Sequence, residues 1–415
     1  MLGLLSGWGY VITDKPAEAE IIIVNTCGFI DPAKQESIDT LLEMAAYKKN
    51  GRCRVLIATG CLAQRYADAL YEQMPELDAL LGVSEYERLG EIIERAGKGE
   101  RPVACAPSLA VFEGPRILTT PPFSAYVRTG DGCDNCCAYC AIPLIRGPYR
   151  SRTYDSVLTE VRALAARGVK EITFIAQDTT RFGSDLPGGK GLSDLILDAC
   201  AIGGVHWVRA LYCYPSRVSD RLLDVLAGEP KACGYLDLPL QHIDGDLLRA
   251  MGRQGTPEDI RSLVRRAKAR GLTLRTTMIV GFPGETEDAF ERLLSFVEEA
   301  RFDRLGAFAY SAEEDTPAAA MPGQVPEEVK QARLGRLMRL QQRISLENNR
   351  RRVGETCEAL IERTDGDMYI ARSQKEAPEG DGGILLTSNR PLAPGAFVTA
   401  RITGADVYDL TGEVP

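Results

Sequence analysis

The chain has 415 residues, of which 45% are hydrophobic and 26% are charged, a composition typical of a globular protein with two or three domains. Its net charge of −9 disfavours a polyanionic partner and is compatible with a basic one. No apolar run reaches the length of a membrane span and no basic-then-apolar leader opens the sequence, so we expect no membrane association. The 12 cysteines then indicate thiolate ligation under reducing conditions, and the cytoplasm is the expected compartment.

The first hundred residues alternate between strand and helix patterns. The apolar, β-branched run 20–25 predicts a buried parallel strand, a helix follows over 33–49, and a second strand covers 54–59. Cys27 and Cys61 come directly after the two strands, each beside a glycine that lets a ligand approach the backbone. Because α/β sheets bind ligands at the carboxyl ends of their strands, both are candidate ligands; the alternative is two incidental thiols.

A proline-rich segment and a second series of strands follow. Five prolines between 101 and 123 predict an extended linker without regular structure. Six strand-like runs separated by helical patterns come next, which is too few for a closed eight-unit barrel. The runs cover 123–128, 171–176, 207–212, 235–238, 273–280 and 304–310.

Four thiols lie within eight residues in the stretch 131–140, a density that indicates soft-metal ligation rather than packing. Two three-ligand sets are open: Cys133, Cys137 and Cys140, or Cys133, Cys136 and Cys140. Either set leaves a cubane iron–sulfur cluster one protein ligand short, so that one iron is open to a substrate or cofactor.

A zinc knuckle is the alternative for these thiols, and it requires a fourth cysteine or histidine close by. The two histidines of the chain, His206 and His242, lie far away in sequence, which disfavours zinc. His206, beside a tryptophan at a strand start, is more consistent with a structural role. His242 follows the fourth predicted barrel strand, where a buried, satisfied imidazole and a position at the rim of a binding site are both open.

Polar residues also follow other strands of this series. Gln177 comes after the second strand, and Gly281 and Glu285 come after the fifth. Helix capping and turn formation explain the neighbouring Gly284 and Thr286 without any cofactor. Polar residues at strand ends of such barrels are nevertheless often catalytic or ligand-binding, so these positions are candidates.

The last part of the chain changes character. An arginine-rich helix over about 326–352 predicts a solvated or ion-paired face, with anion binding as the alternative. Short strands separated by Asp-Gly and Pro-Gly turns then predict a small antiparallel barrel over 353–415. From residue 354 onward there are 5 basic and 11 acidic residues, a net charge of −6, which disfavours phosphate binding and suits a basic protein partner.

The run Cys133-Asp-Asn-Cys-Cys137-Ala-Tyr139-Cys140 resembles the signature of radical S-adenosylmethionine (SAM) enzymes. The resemblance implies that Cys133, Cys137 and Cys140 hold a 4Fe–4S cluster and that SAM chelates its fourth iron, with Cys136 as an extra thiol. It also implies an open, partial (β/α)6 barrel. Tyr139 and the strand-end candidates Gln177, Gly281 and Glu285 are then expected in the environment of SAM.

Three segments resemble one subgroup, the methylthiotransferases. The continuation Ile142-Pro-Leu-Ile-Arg-Gly-Pro-Tyr-Arg-Ser-Arg152 and the surroundings of Cys27 and Cys61 carry this resemblance. It implies a second, auxiliary 4Fe–4S cluster with Cys27 and Cys61 as ligands. The family places a third ligand on a strand before a helix that resembles the first residues of this chain, so we expect an incomplete auxiliary site here and an in-frame extension upstream.

The implied fold class is α/β with three parts joined by a linker. These are an incomplete Rossmann- or flavodoxin-like auxiliary-cluster domain (1–100), the linker (101–122), a radical SAM partial TIM barrel with a C-terminal helix (123–352), and a small antiparallel TRAM β-barrel (353–415).

The segments Gln177-Asp178-Thr-Thr-Arg181 and Leu240-Gln241-His242-Ile243 resemble the branch that methylthiolates the β-carbon of an aspartate in the twelfth small-subunit ribosomal protein. The expected partners are this protein or the small ribosomal subunit and an external one-electron reductant, with no membrane and no transfer RNA. A transfer-RNA adenosine methylthiotransferase is the alternative. Outside the enzymes, the alternative is an iron–sulfur electron carrier or an RNA-binding scaffold.

Overall fold

The structure is a computed structural model that describes residues 1–107, 111 and 113–415. The chain divides into two compact units, each assembled from several stretches of sequence. The first unit comprises Met1–Thr119, Asp131–Arg150 and Ser311–Ala320. The second unit comprises Thr120–Gly130, Ser151–Tyr310 and Met321–Pro415.

Helices and strands alternate along most of the chain, and strands predominate towards its C-terminal end. The helices are α1 Leu2–Gly7, α2 Asp31–Ala45, α3 Tyr47–Asn50, α4 Cys61–Arg65, α5 Ala67–Gln73, α6 Leu89–Gly97, α7 Ile142–Arg146, α8 Tyr154–Ala166, α9 Leu192–Cys200, α10 Asp220–Gly228, α11 Gly245–Ala250, α12 Pro257–Ala269, α13 Glu287–Ala300 and α14 Glu327–Arg351. The strands are β1 Ile21–Thr26, β2 Val55–Gly60, β3 Ala79–Leu81, β4 Val103–Ala104, β5 Ser124–Arg128, β6 Gly130–Asp131, β7 Arg150–Ser151, β8 Glu171–Ile175, β9 Trp207–Ala210, β10 Tyr235–Gln241, β11 Thr273–Val280, β12 Arg304–Ala309, β13 Thr356–Asp365, β14 Met368–Arg372, β15 Ile384–Ser388, β16 Phe397–Ala405 and β17 Leu410–Val414.

The first unit contains a parallel sheet in the order β1-β2-β3-β4. Every residue of β2 is buried, as expected for a central parallel strand covered by helices on both faces. The two strands predicted in this region are therefore confirmed, within a residue at each end. The sequence did not predict β3 and β4, and β4 lies inside the segment predicted to be an irregular linker.

The structure describes only part of the rest of this predicted linker. Residues 108–110 and 112 lie outside the described part of the chain, and residues 113–119 form no helix or strand. Val103–Ala104 can pair with β3 although the segment is rich in proline. One proline precedes this strand and none lies within it, so the backbone N–H groups needed for the ladder are present.

The second unit contains six parallel strands in the order β5-β8-β9 and β10-β11-β12, which confirms the predicted open six-unit barrel. The two groups are joined by a bridge between Val208 and Ala232. Burial alternates along β11, where Arg275, Thr277 and Ile279 are partly exposed and their neighbours are buried. Successive residues of a strand point to opposite faces, so these three side chains share one face of β11. Their partial exposure is as expected for the face that lines the interior of an open barrel.

The C-terminal domain is a closed five-stranded barrel in the order β13-β14-β15-β17-β16. Its pairings are antiparallel except for β15 with β17, which is parallel. A small β-barrel was predicted here, and the parallel pair is the one feature of its topology that the spacing of strands and turns did not indicate.

A buried ion network joins this small barrel to the six-stranded barrel. Arg372 donates two hydrogen bonds to Glu171, at 2.6 and 3.2 Å, and Arg209 lies 3.5 Å from the same carboxylate. Arg209 also donates to the backbone oxygens of Gln374 and Glu376. Because Glu171 begins β8 and Arg372 ends β14, the segment after β14 is anchored at the amino-terminal ends of the barrel strands.

Three arginines of α14 are ion-paired, in agreement with the first of the two predicted alternatives. Arg333 and Arg336 both bind Glu287 at the start of α13, and Arg343 binds Glu298 near its end. These pairs cross from one helix to its neighbour, so the arginine face of α14 serves mainly to hold it against α13.

Candidate functional site

The cysteines of the 131–140 stretch lie in a single tight loop of the first unit. The Cys133 backbone N–H donates to the Gly147 oxygen at 3.1 Å, and the Cys140 N–H donates to the Cys137 oxygen at 3.0 Å. Gly132 has a φ of 75°, and a Cβ atom there would lie 2.1 Å from the Pro148 oxygen, so only glycine permits this close approach.

Cys136 differs from the other three thiols of this loop. It adopts a left-handed conformation with a φ of 50° and is exposed, whereas Cys133, Cys137 and Cys140 are partly buried. Exposure and backbone conformation therefore distinguish Cys136 from the other three thiols of the loop.

The thiols fit an iron–sulfur cluster better than a single metal ion. Among the described residues, the side chains of His, Cys, Asp and Glu form no group of three or more that converges on one ion. Thiolates that hold a cubane cluster bind separate iron atoms, so they do not need to converge in this way. The donor set is soft, which suits iron in such a cluster.

Cys27 lies in the loop after β1, and Cys61 is the first residue of α4 in the same unit. A Cβ atom at Gly28 would lie 2.8 Å from the backbone nitrogen of Leu62, so this loop touches the start of α4. Arg65 strengthens this contact by donating to the Gly28 oxygen at 3.2 Å. Cys27 is exposed and Cys61 is partly exposed, and both thiols are accessible to a metal.

Arg146 links the loop of four cysteines to Cys61. Its guanidinium donates to Asp131 at 2.9 Å, and its other terminal nitrogen lies 3.9 Å from the Cys61 sulfur. Cys61 also packs beside Ile145 and Val83 in a small buried cluster. The first unit therefore brings the two predicted sets of cysteines into one framework, which the sequence motifs alone did not indicate.

A buried carboxylate reinforces the same framework. Glu313 follows the sixth barrel strand and is 2% exposed at its side chain, and it lies 3.1 Å from Lys34 on α2 and 3.7 Å from Arg65 on α4. The backbone of Ala318 in the same segment donates to the oxygen of Ala138, between the cysteines. Sequence reasoning missed Glu313 because nothing local distinguishes it from a solvated surface acid.

The predicted SAM-environment residues are divided between the two units. Tyr139 is in the first unit, and Gln177, Gly281 and Glu285 are in the second. The Gln177 carboxamide oxygen is buried without a hydrogen-bond partner among the described residues, at the carboxyl end of β8. A buried acceptor without a donor is costly, and an incoming N–H or O–H group would remove that cost.

Glu285 is fully buried, and its carboxylate braces the strand-end loop in which it lies. Its oxygens accept hydrogen bonds from the Gly281 N–H at 2.6 Å, from Arg333 at 2.7 Å and from His242 at 3.1 Å. The Asp244 N–H donates to the other nitrogen of His242. His242 is therefore the buried, satisfied imidazole of the first alternative, and Glu285 acts on the loop rather than presenting a free carboxylate.

The comparisons with known proteins agree with this architecture. The family model described as the Radical SAM superfamily matches residues 127–297, that of the uncharacterized protein family UPF0004 matches 1–82, and that of the TRAM domain matches 353–414. The ribosomal protein uS12 methylthiotransferase RimO of Desulforudis audaxviator is 51% identical over 100% of this chain and 93% of its own length. The chain belongs to the uS12 methylthiotransferase family. RimO of Desulforamulus reducens, at 47% identity over 100% of this chain and 95% of that protein, agrees.

Solved structures support the fold of this family member. The radical SAM methyltransferase TsrM from Kitasatospora setae, solved with cobalamin and a [4Fe-4S] cluster, has a TM-score of 0.55 at 15% identity over 91% of this chain and 70% of that chain. At this identity the likeness concerns the fold alone. Family membership and the Radical SAM match make the chain a radical SAM enzyme that uses an iron–sulfur cluster and SAM.

Membrane association has no support in the helices. Among the described residues, no helix combines the length and the apolar composition needed to cross a bilayer.

Proposed function

We propose that this protein inserts a methylthio group at the β-carbon of an aspartate of ribosomal protein uS12 by radical SAM chemistry. The observation that carries this proposal is the match along the whole chain to relatives of that name. The acidic surface of the C-terminal domain supports it independently. Both point to a protein substrate rather than to a nucleic acid.

In this proposal Cys133, Cys137 and Cys140 hold a 4Fe–4S cluster, and Cys27 and Cys61 contribute to a second one. With SAM bound and an external one-electron reductant, the first cluster supplies the reductive cleavage of SAM that gives a 5′-deoxyadenosyl radical, the species able to remove hydrogen from an unactivated C–H bond. The reducing cytoplasm, in which thiols stay available for iron, is the proposed compartment.

The chain's own contribution is to shape the SAM environment. The Gln177 oxygen offers an unused acceptor, and the Gly281 loop offers a backbone held in place by Glu285 and Arg333. A Cβ atom at Gly281 would lie 2.3 Å from the Lys330 side chain, so α14 fixes the loop from outside. Such bracing keeps the loop in its binding geometry before the ligand arrives.

Changing Glu285 to Gln tests this bracing. The amide keeps the shape of the carboxylate but removes the charge opposite Arg333, so we expect SAM affinity to fall about tenfold or more because the loop loses its geometry. Calorimetric titration of SAM into reconstituted protein measures the effect. The matched control is Glu291→Gln on α13, which loosens an exposed ion pair with Arg336 on α14. Equal SAM affinity in the Glu285→Gln and wild-type proteins would refute the role.

The surface of the C-terminal domain suits a basic protein. Three of its basic residues and seven of its acidic residues are exposed. The exposed residues of this domain therefore carry a net charge of −4. The exposed acidic residues are Glu358, Asp365, Asp367, Glu379, Asp406, Asp409 and Glu413. A ribosomal protein that binds RNA carries the complementary charge, whereas the phosphates of transfer RNA would be repelled.

Substrate choice is tested by comparing two pools in cells with and without the gene. We expect the methylthio group on uS12 to disappear when the gene is deleted, and the modified adenosines of transfer RNA to stay unchanged. Mass spectrometry of uS12 peptides and of transfer-RNA nucleosides measures both. Loss of a modified adenosine with uS12 unaffected would overturn the proposal in favour of the transfer-RNA alternative. Purified protein that forms no 5′-deoxyadenosine on reduction would favour a carrier or scaffold.

A further inference from the structure

Tyr212 stands out at the carboxyl end of the third barrel strand. It has a φ of 61°, a left-handed conformation that is rare for a residue with a side chain. Its ring is 46% exposed, although Leu211, Cys213 and Tyr214 beside it are all buried. An unfavourable backbone conformation that turns one aromatic ring out of a buried run is characteristic of functional sites.

The neighbouring strands hold Tyr212 in this conformation from both sides. Its N–H donates to the Asp237 carboxylate at 2.9 Å, and its oxygen accepts from the Thr179 N–H at 3.0 Å. The next N–H, of Cys213, donates to the Asp237 backbone oxygen at 3.0 Å. The turn after β8 and the strand β10 thus hold the Tyr212 backbone in its left-handed conformation.

Tyr212 faces the interior of the six-stranded barrel together with Arg275. The Tyr212 N–H and the Arg275 side chain flank Asp237, with 3.9 Å between the Arg275 Nε and the Asp237 carboxylate. The Tyr212 phenol lies near Arg275 and near Tyr126, which is on the first strand of the barrel. Strands on both sides of the interior therefore contribute to one location.

The polar ends of Tyr212 and Arg275 have spare donor capacity. Neither the phenol nor the guanidinium forms a hydrogen bond with any residue in the described part of the chain, and Arg275, whose side chain is 26% exposed, lies 3.9 Å from Asp237 in an ion pair. A Cβ atom at Gly380 would lie 3.0 Å from a terminal nitrogen of Arg275, so the guanidinium also lies against the segment that follows β14. The neighbouring Arg209 and Arg304 are instead engaged by backbone oxygens and carboxylates. Arg275 is thus a cation with capacity for another anion.

Two carboxylates lie near Arg275, and both have other bonds. Asp381 accepts from the Tyr235 hydroxyl at 2.7 Å and from the Ala377 N–H at 2.8 Å. Asp237 accepts from Tyr212, and burial raises the pKa of its carboxyl, which weakens its hold on a cation. Neither carboxylate therefore occupies the donors of Arg275.

We propose that Tyr212 and Arg275 form a carboxylate-binding subsite that holds the side chain of the aspartate to be modified. This inference rests on the proposed function, which supplies a substrate with a carboxylate next to the reacting carbon. A guanidinium can donate two parallel hydrogen bonds to a carboxylate and a phenol can donate a third, and one carboxylate can accept all three. Fixing the carboxylate would fix the β-carbon to which it is attached.

A cycle of enzyme and substrate variants tests the subsite. The substrates are recombinant uS12 with its target aspartate intact or changed to asparagine, a neutral isostere. We expect reconstituted wild-type enzyme to prefer aspartate at least a hundredfold in kcat/KM, and Arg275→Gln to reduce this preference at least tenfold. Tyr212→Phe should raise KM for uS12 and lower the product formed per 5′-deoxyadenosine.

Three further variants separate recognition from folding. Arg162→Gln and Tyr71→Phe change exposed residues of the same types elsewhere and should keep the wild-type preference. Arg275→Lys retains the charge, so its aspartate preference should lie between those of Arg275→Gln and the wild type. This variant keeps the test informative if Arg275→Gln folds poorly. An aspartate preference that is the same in Arg275→Gln, Arg275→Lys and wild type would overturn the subsite while leaving the proposed function intact. Wild-type enzyme that modifies neither substrate would overturn the proposed function itself.

Discussion

Alanine at Cys133, Cys137 or Cys140 should abolish SAM cleavage. Each of the three thiols is expected to bind one iron of the cluster, and a cubane held by two thiolates is labile, so iron content and 5′-deoxyadenosine should both fall to background. Iron and sulfide counting after anaerobic reconstitution, with chromatographic assay of 5′-deoxyadenosine, measures both. The effect should be the same for all three positions because each removes one of three ligands.

Cys136→Ala is the matched control for these substitutions. Cys136 is in the same loop but differs from the proposed ligands, because it is exposed and has a φ of 50°. We expect this variant to keep most of its iron and most of its SAM cleavage. An inactive Cys136→Ala protein combined with an active Cys137→Ala protein would establish the other three-ligand set, which the spacing of the cysteines left open.

Elements with a strong local pattern could be predicted from the sequence. Thr273–Val280 has the predicted boundaries, because a run rich in β-branched residues determines its own secondary structure. The strands Ala79–Leu81 and Val103–Ala104 were missed, since two or three residues carry no periodicity. Their pairing depends on the rest of the sheet.

The candidate site divides in the same way. The thiols of the 131–140 stretch could be found because four cysteines in one loop are a local signal. Tyr212 could not be found, because its left-handed backbone is held by Asp237 on β10 and by Thr179 in the turn after β8, both distant in sequence. The role of Glu285 also differs from what its strand-end position suggested, since its partner Arg333 lies 48 residues further along the chain.

The ion pair that connects the C-terminal domain to the six-stranded barrel could not be predicted from the sequence either, because Glu171 and Arg372 are 201 residues apart. Both side chains are almost fully buried. Burial alone would raise the pKa of the Glu171 carboxyl, but Arg372, Arg209 and a hydrogen bond from Ser124 together hold this pKa below its usual value. Glu171 is therefore charged at neutral pH, and its charge requires the arginines.

Arg372→Met should therefore destabilise the protein by about 3–5 kcal/mol, because it leaves the buried Glu171 charge without its main partner. Urea unfolding followed by circular dichroism measures the loss. Adding Glu171→Gln to the same protein should recover part of the stability, since the uncompensated charge disappears. Arg363→Met, which removes an exposed arginine from the same small barrel, should change stability by no more than about 0.5 kcal/mol. Equal, small effects of Arg372→Met and Arg363→Met would show that the network does not hold the C-terminal domain in place.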